Sequence, residues 1–356
     1  MNGADMMIKE KDCKTTFILG AGATRGAIDH VLIDRKRIKP PLNNDFFKVA
    51  ETYGRAKGLG SEDAKRVARL QRVFKEVIPI KGVPSMEDAF SLLFIAKDFP
   101  DIYRTGPGRG YSPGSRKEIE DFLRLTFSIL TVIDKNSDGI NGYDRLVQKL
   151  GNNDTIISLN YDTALDSALT RVGWDPKTGY GLGGGKRKIV WEPAKCSQEL
   201  HIKGVHLLKL HGSINWYVRG NFSNLGKVFE SKPVIVTGPR KNEVRGHIRQ
   251  IIPPIYGKIF EHNHWRSIWT QSFKALCEAE VIVVIGCSLV NTDFHLRALL
   301  SRVVKDKKKN RGLFKHAIFV ADTKTRRKWQ NVLKGSYKNK NITNYPKLEE
   351  FLRKEV

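Results

Sequence analysis

Cysteine is scarce in this sequence. The chain has only four cysteines, at positions 13, 196, 277 and 287, and no two of them form a Cys-x-x-Cys pair. That spacing argues against a disulfide framework and against a structural zinc site. We therefore expect no metal, and we expect Cys277 and Cys287, which lie in apolar surroundings, to be reduced core residues.

Long apolar runs are also missing. No stretch of about 18 uninterrupted apolar residues, the length that spans a bilayer, occurs in the chain. The polar opening from Met1 to Lys14 lacks the apolar middle of a signal peptide. We therefore expect no membrane span and a cytoplasmic location. With 356 residues, 40% of them hydrophobic, the chain is long enough for a real core in one large or two medium domains.

Acidic residues are too few to balance the basic ones. The chain has 62 Lys and Arg against 37 Asp and Glu, a net charge of +25, which favours a polyanionic partner. Residues 301–340 hold 14 Lys and Arg against Asp306 and Asp322, or +12. Within them, the run from Lys305 to Arg311 is either a solvated loop between a helix and a strand or part of a surface for nucleic acid or an acidic protein.

The first motif is a glycine-rich turn after a strand. Residues 15–20 are β-branched and apolar and lead into Gly20-Ala21-Gly22-Ala23-Thr24, which predicts a buried strand and a tight turn. Glycines let backbone N–H groups approach a phosphate, and the dipole of a following helix favours its charge. The spacing to Gly26 differs by one residue from the usual dinucleotide fingerprint, so the turn alone does not decide between nucleotide binding and a structural role.

The next part of the chain predicts a loop and then helices. Residues 29–44 are polar and basic, which is typical of a loop, whereas 45–150 show helical patterns and no strand. Ser85 opens one helical run, and Ser115 with Glu118 forms a capping box before another. Because this block interrupts an alternation of strands and helices, we interpret it as an inserted helical lobe that covers a cleft.

Further strands are predicted after residue 150. Their alternation with helices predicts a mostly parallel sheet with helices on both faces, an α/β fold of Rossmann type. We assign residues 1–44 and 151–356 to this domain and 45–150 to the helical lobe. The predicted strands cover residues 154–159, 207–210, 233–238, 281–286 and 316–320.

Polar residues follow three of these strands, at the edge where parallel sheets bind ligands. They are Asn160-Tyr161-Asp162, His211, and Ser288 after Gly286. Asn160 could instead cap the next helix, and His211 could be a structural histidine in a tight turn. Four further residues that could shape a pocket, or act as helix caps or core residues, are Asp45, Phe46, Glu87 and Asp293.

Four short motifs follow one another along most of residues 15–322. They are Gly20-Ala21-Gly22-Ala23-Thr24, Ser158-Leu159-Asn160-Tyr161-Asp162, Leu210-His211-Gly212-Ser213 and Ile285-Gly286-Cys287-Ser288-Leu289. In that combination and order the sequence resembles the sirtuin-like proteins, and in detail the NAD hydrolases of prokaryotic antiphage defence.

The resemblance implies a role for each motif. Asn160 would position the ribose and an attacking water, and His211 would accept a proton from a ribose hydroxyl or through it activate the nucleophile. An unperturbed histidine pKa near 6.5 suits this work at neutral pH. NAD would be bound by Gly20, Ala21, Gly22, Ala23, Thr24, Tyr161, Asp162, Gly286 and Ser288.

Two departures separate the chain from deacylating sirtuins. Those enzymes carry a four-cysteine zinc module and the arginine of a Gly-Ile-Pro-x-Phe-Arg segment, whereas here the cysteines are scattered and Gly26-Ala27-Ile28-Asp29 takes that place. Protein deacetylation is therefore not expected. The chemistry that remains is attack by water on the anomeric carbon of the nicotinamide ribose, which yields nicotinamide and ADP-ribose.

The resemblance also implies partners. We expect a homo-oligomer and a HerA-type DNA-translocating ATPase, because unregulated NAD loss would poison the cell. The alternative is a basic nucleic-acid-binding or nuclease subunit that uses the pocket only to sense a nucleotide, with the basic region 301–340 as its support. An ordinary NAD-dependent dehydrogenase is disfavoured, because the glycine spacing is wrong and no acidic residue closes a second strand in the expected place.

Overall fold

The computed structural model describes residues 13–56, 58–77, 84–103, 116–135, 141–182, 189–190, 204–219, 234–236, 246–255, 263–290 and 292–355. None of the helices in these ranges is both long and apolar enough to cross a membrane. The predicted cap at Ser115 and the cysteine at 196 lie outside the described residues.

Strands and helices alternate in only part of the described chain, because the elements between residues 46 and 147 are all helices. The strands are β1 (Thr15–Leu19), β2 (Val31–Ile33), β3 (Lys36–Ile38), β4 (Thr155–Ser158), β5 (Ile189–Val190), β6 (His206–Lys209), β7 (Gly212–Arg219), β8 (Val234–Val236), β9 (His247–Ile251), β10 (Val281–Ile285), β11 (His316–Val320) and β12 (Ile342–Tyr345). The helices are α1 (Ala21–Ala27), α2 (Phe46–Arg55), α3 (Ser61–Val77), α4 (Met86–Asp98), α5 (Pro100–Tyr103), α6 (Arg116–Lys135), α7 (Gly142–Val147), α8 (Ala164–Arg171), α9 (Pro176–Gly179), α10 (Asn263–Glu278), α11 (Phe294–Asp306), α12 (Thr323–Val332) and α13 (Leu348–Lys354).

A six-stranded parallel sheet forms the centre of the fold. Its strand order is β12-β11-β10-β1-β4-β6, and every residue of β1, β4, β10 and β11 is buried. Strands buried on both faces need continuous apolar, β-branched sequence rather than an alternating pattern. The predicted fold class, a mostly parallel Rossmann-like sheet with helices, is therefore confirmed.

The order of the strands places a switch point next to β1. The chain proceeds from β1 to β4 and β6 on one side, then returns to β10, β11 and β12 on the other. β1 pairs with β10 through Leu19 and Ile285 and with β4 through Leu19 and Ser158. In open α/β sheets ligands bind outside the carboxyl ends of the strands at such a reversal, so the turns after β1, β4 and β10 are the expected site.

Three features differ from the sequence-based expectations. Residues 31–38 form an antiparallel hairpin, β2–β3, not a loop; its tip, Asp34 and Arg35, has positive φ, as a primed hairpin turn requires. A second sheet, β5-β8-β7-β9, was not predicted, although the strand expected at 233–238 is present as β8. The short edge strand β12 was also missed, because half of its four residues are polar.

An aromatic cluster holds the helices between 46 and 147 together. Phe122 of α6 stacks on Phe90 of α4 with ring centroids 3.8 Å apart, and it contacts Phe46 and Phe47 of α2. Within the described residues, 45–150 contain helices and no strand. Buried residues of these helices and of the sheet belong to one hydrophobic core, and the division into two domains stays a prediction.

The lysine run after α11 is not the solvated loop that the sequence allowed. Lys307–Arg311 continues α11 as a π-helical turn, and Lys307 is buried. The cysteine prediction holds, since Cys277 and Cys287 are free and buried.

Candidate active site

A cleft opens at the carboxyl edge of the parallel sheet. It contains about 920 Å³ of empty space, part of it open to solvent. Eight of the predicted site residues border it, whereas Gly22, Ala23 and Gly286 do not. The eight are Gly20, Ala21, Thr24, Asn160, Tyr161, Asp162, His211 and Ser288.

Gly22 and Gly286 serve the packing of one turn against the other. Gly22 N donates to Gly286 O (2.9 Å), and Gly20 N donates to Ile285 O (3.1 Å). A Cβ on Gly22 would lie 2.8 Å from Gly286 O, and Gly286 itself has φ +56. The turns after β1 and β10 can approach this closely only because both positions lack a side chain. Glycine is therefore needed at these two positions for packing. The N–H groups of Gly20 and Gly22 already donate to backbone carbonyls.

Asn160 connects the end of β4 to the glycine turn. Its amide nitrogen donates to Gly20 O (2.9 Å) and to Thr24 Oγ1 (3.0 Å), and the residue is 8% exposed. A backbone carbonyl can only accept, so the amide nitrogen must face Gly20. Asn160 does not cap α8; the α8 residue Ala164 instead donates its N–H to Asp162 Oδ1 (3.3 Å).

The Thr24 hydroxyl joins three other side chains, those of Asp162, Asn160 and Tyr143. It donates to Asp162 Oδ2 (3.0 Å) and accepts from Asn160. Because its single proton goes to the carboxylate, Tyr143 OH, 2.9 Å away, must be a donor to it. Thr24 thus uses its hydroxyl to order Asn160 and Asp162, and in this conformation it has no further proton to offer a phosphate.

Buried charges lie beneath the Asn160–Asp162 turn. Lys209, 1% exposed, donates from Nζ to Asp162 O (2.5 Å) and lies 3.1 Å from Asp166 Oδ2. Burial raises the pKa of Asp162, and the charge of Lys209 opposes that rise. Lys209 therefore holds the backbone of the turn that carries Asn160.

A second carboxyl, on a half-buried residue, comes from the helical lobe. Asp134, at the end of α6, accepts from Thr163 N (3.0 Å) and from Thr163 Oγ1 (2.5 Å). Burial and the neighbouring Asp162 raise its pKa to about 7. This contact fixes the lobe to the same turn from the other side.

His211 occupies the tight turn between β6 and β7. It is 4% exposed, and its Nε2 lies 3.5 Å from Asp293 Oδ1. Its backbone oxygen accepts from Ile252 N (2.8 Å), and Tyr161 OH donates to Ile252 O (2.7 Å). Gly212 has φ +82 and a Cβ there would meet Gln250 O at 2.5 Å, so only glycine allows this turn.

The lobe and the segment before it form the apolar wall of the cleft. Thr126, Leu130 and Ile133 of α6 line it together with residues 40–43. Arg25 holds that segment by donating to Pro40 O (2.6 Å) and to Asp45 Oδ2 (2.5 Å). The expected covering role of the lobe is consistent with this wall.

The four weaker candidates have separate positions. Phe46 and Asp293 line the cleft, Asp45 binds Arg25, and Glu87 Oε1 accepts from Thr292 N (2.7 Å). Sequence reasoning missed Asp134, Tyr143 and Lys209. No local pattern marks them, because Tyr143 and Lys209 bind residues 119 and 47 positions away in the chain.

A family model described as SIR2-like domain matches residues 154–345, which include Asn160, His211 and Asp293. A solved chain from work on the mechanism and regulation of Sir2 enzymes is 9% identical, with a TM-score of 0.36 over 99% of this chain and 95% of that one. A Sir2 mutant with a p53 peptide and NAD is 11% identical, with a TM-score of 0.34 over 98% and 93%. No curated protein matches significantly. Among the described residues, no group of three or more His, Cys, Asp or Glu could hold a metal ion.

Proposed function

The chain belongs to the SIR2-like domain family, and from this premise we propose that it hydrolyses NAD⁺ to nicotinamide and ADP-ribose. The observation that carries the proposal is the convergence of Asn160 and His211 on one cleft, each held in place. NAD is then the substrate, and the reaction is attack by water at the anomeric carbon.

The proposed steps use the geometry of the cleft. The bond from C1′ to the pyridinium nitrogen breaks, and nicotinamide leaves with the electron pair as a neutral molecule. A water oxygen bonds to C1′, and its proton passes to His211 directly or through a ribose hydroxyl. The nearby Asp293 carboxylate stabilises the resulting imidazolium and the positive charge that develops on the sugar.

The proposal is tested by nicotinamide release from NAD⁺ by the purified protein. We expect Asn160→Ala and His211→Ala each to lower kcat by about 100-fold or more. Matched controls are Asn153→Ala and His206→Ala, which change exposed residues at the opposite edge of the sheet and should leave turnover unchanged. Full turnover in both cleft variants would contradict the site.

We further propose, from the resemblance to antiphage NAD hydrolases, that the reaction depletes NAD during phage infection. Control would come from homo-oligomer assembly or from a HerA-type ATPase partner. Mass spectra of the products formed from NAD, with and without an ATPase encoded by a neighbouring gene, test this proposal. Equal NAD loss with and without the partner, and equal survival of infected cells with wild type and His211→Ala, would refute it.

A further inference from the structure

A strip of cations lies at the amino edge of the sheet. Of the 14 Lys and Arg in residues 301–340, 12 are exposed. The strip that we name the basic ridge is formed where α11 ends, in the π-helical turn, and in the turn before β12. Its members are Lys305, Lys308, Lys309, Arg311, Lys334 and Lys338.

A buried lysine anchors the ridge. Lys307 Nζ donates to Ala279 O (2.5 Å) and lies 4.4 Å from the centre of the Phe314 ring. With Lys307 held in the core, the flanking Lys308 and Lys309 project from a helix of defined position. They are not carried on a free loop, so less side-chain and backbone entropy is lost when they bind.

The two halves of the ridge lie against each other. Phe314 N donates to Ser336 O (2.7 Å), and a Cβ on Gly335 would collide with the Lys308 side chain. This contact brings Lys334 and Lys338 beside the π-helical turn, so the separate basic segments of the sequence form one surface.

Acidic neighbours neutralise this surface only in part, since Asp306 Oδ2 lies 3.8 Å from Arg311 Nε. The two acids of the segment are already engaged: Asp306 accepts from Asn310 (2.9 Å), and Asp322 caps α12 through Thr325 N (3.0 Å). A concentrated positive field of this kind attracts a polyanion.

The aromatic residues of the region exclude one class of polyanion. The four in residues 301–340, namely Phe314, Phe319, Trp329 and Tyr337, are buried, and so is Tyr345 of β12. Proteins that bind single strands present aromatic rings on which bases stack, and the ridge offers none among its described residues. Lysines spaced along a helix instead suit the phosphate rows of a duplex.

The ridge and the cleft are at opposite edges of the sheet. α11 begins beside Asp293 and ends at the ridge 13 residues later, a distance of about 20 Å. A ligand on the ridge therefore leaves the cleft accessible.

We propose that the basic ridge binds the phosphate backbone of duplex nucleic acid without reading its sequence. This binding does not depend on the proposed NAD hydrolysis, because no cleft residue takes part in it.

The test measures fluorescence anisotropy of a labelled 20-base-pair DNA duplex at several salt concentrations. We expect the triple variant Lys308→Gln, Lys309→Gln, Arg311→Gln to bind at least tenfold more weakly. The slope of log affinity against log salt should fall by up to about 3, since each lost phosphate contact removes roughly 0.9. The matched control, Lys48→Gln, Arg72→Gln, Lys75→Gln, removes the same charge from exposed positions of α2 and α3 and should bind as wild type.

Four outcomes would overturn the proposal. They are unchanged duplex binding by the ridge variant, an equal loss in the control variant, tighter binding of a single strand than of the duplex, and equal competition by polyglutamate, which would indicate an acidic protein partner. The same anisotropy titration with an RNA duplex shows whether the ridge binds DNA or RNA more tightly. Circular dichroism melting checks that the variants fold, and nicotinamide release should be unchanged in both.

Discussion

His211 Nε2 and Asp293 Oδ1 lie 3.5 Å apart, and both side chains are 5% exposed. The two residues come from different elements, His211 from the turn after β6 and Asp293 from the position just before α11. A carboxylate at this distance orients an imidazole and stabilises its charged form.

Asp293→Asn therefore tests Asp293 as a positioning residue for His211. The substitution keeps size and removes charge, so kcat should fall by about 100-fold or more while KM changes little. Steady-state kinetics of nicotinamide release measure both constants. An unchanged kcat would show that His211 does not need this neighbour.

Thr24→Val should impair both stability and turnover. It leaves Asn160 Nδ2, Tyr143 OH and Asp162 Oδ2 without the hydroxyl that they share. Each buried polar group left unpaired costs about 1–3 kcal/mol. Thr24→Ser restores the hydroxyl and should recover most of the activity; failure of this rescue would assign the effect to the lost methyl group.

Lys209→Met should destabilise the fold by about 3–5 kcal/mol, because it leaves buried Asp166 without its cation. Urea denaturation measures the change. The matched control is Lys14→Met, which breaks an exposed pair with Glu278 and should cost no more than about 1 kcal/mol. Similar losses in the two variants would contradict the role of Lys209.

Gly22→Ala should destabilise the turns after β1 and β10, since its Cβ would lie 2.8 Å from Gly286 O. The control is Gly54→Ala in α2, where a Cβ meets nothing within 4 Å. That change should stabilise the protein by up to about 1 kcal/mol. Thermal melting measures the change. Melting temperatures that shift in the same direction in both variants would contradict the expected difference.

Asp134 should make stability depend on pH. Burial raises its folded pKa to about 7, whereas the unfolded value is about 3.9. Between these values the folded protein holds a proton that the unfolded chain releases, so the free energy of unfolding falls as pH rises. The contribution is complete below about pH 4 and lost by about pH 7, with a slope of at most about 1.4 kcal/mol per pH unit.

Asp134→Asn isolates this contribution, because an amide can keep both bonds to Thr163. Relative to the variant, wild type should lose stability between about pH 4 and pH 7 and then stay level in urea titrations. The exposed Asp98→Asn should run parallel to wild type. If the curve of stability against pH for Asp134→Asn also runs parallel to that of wild type, the raised pKa of Asp134 is ruled out.

Local sequence determined the sheet and the order of its motifs. The β-branched runs at β1, β4, β10 and β11 are strands because only a doubly covered parallel sheet buries such continuous apolar sequence. Parallel strands in turn deliver Asn160 and His211 to one edge. The polar hairpin β2–β3 and the edge strand β12 escaped prediction, because short, partly exposed strands carry little apolar signal.

Tertiary structure alone decided what each site residue contacts. The glycines after β1 and β10 look like phosphate contacts in sequence, but Gly22 and Gly286 are needed for turn packing. In the sequence, Lys209 lies within an apolar strand. Its two acceptors, the Asp162 carbonyl and the Asp166 carboxylate, are more than 40 residues away in the chain. Such pairings depend on which segments the sheet brings together, and a local pattern records burial and periodicity but not the partner across the cleft.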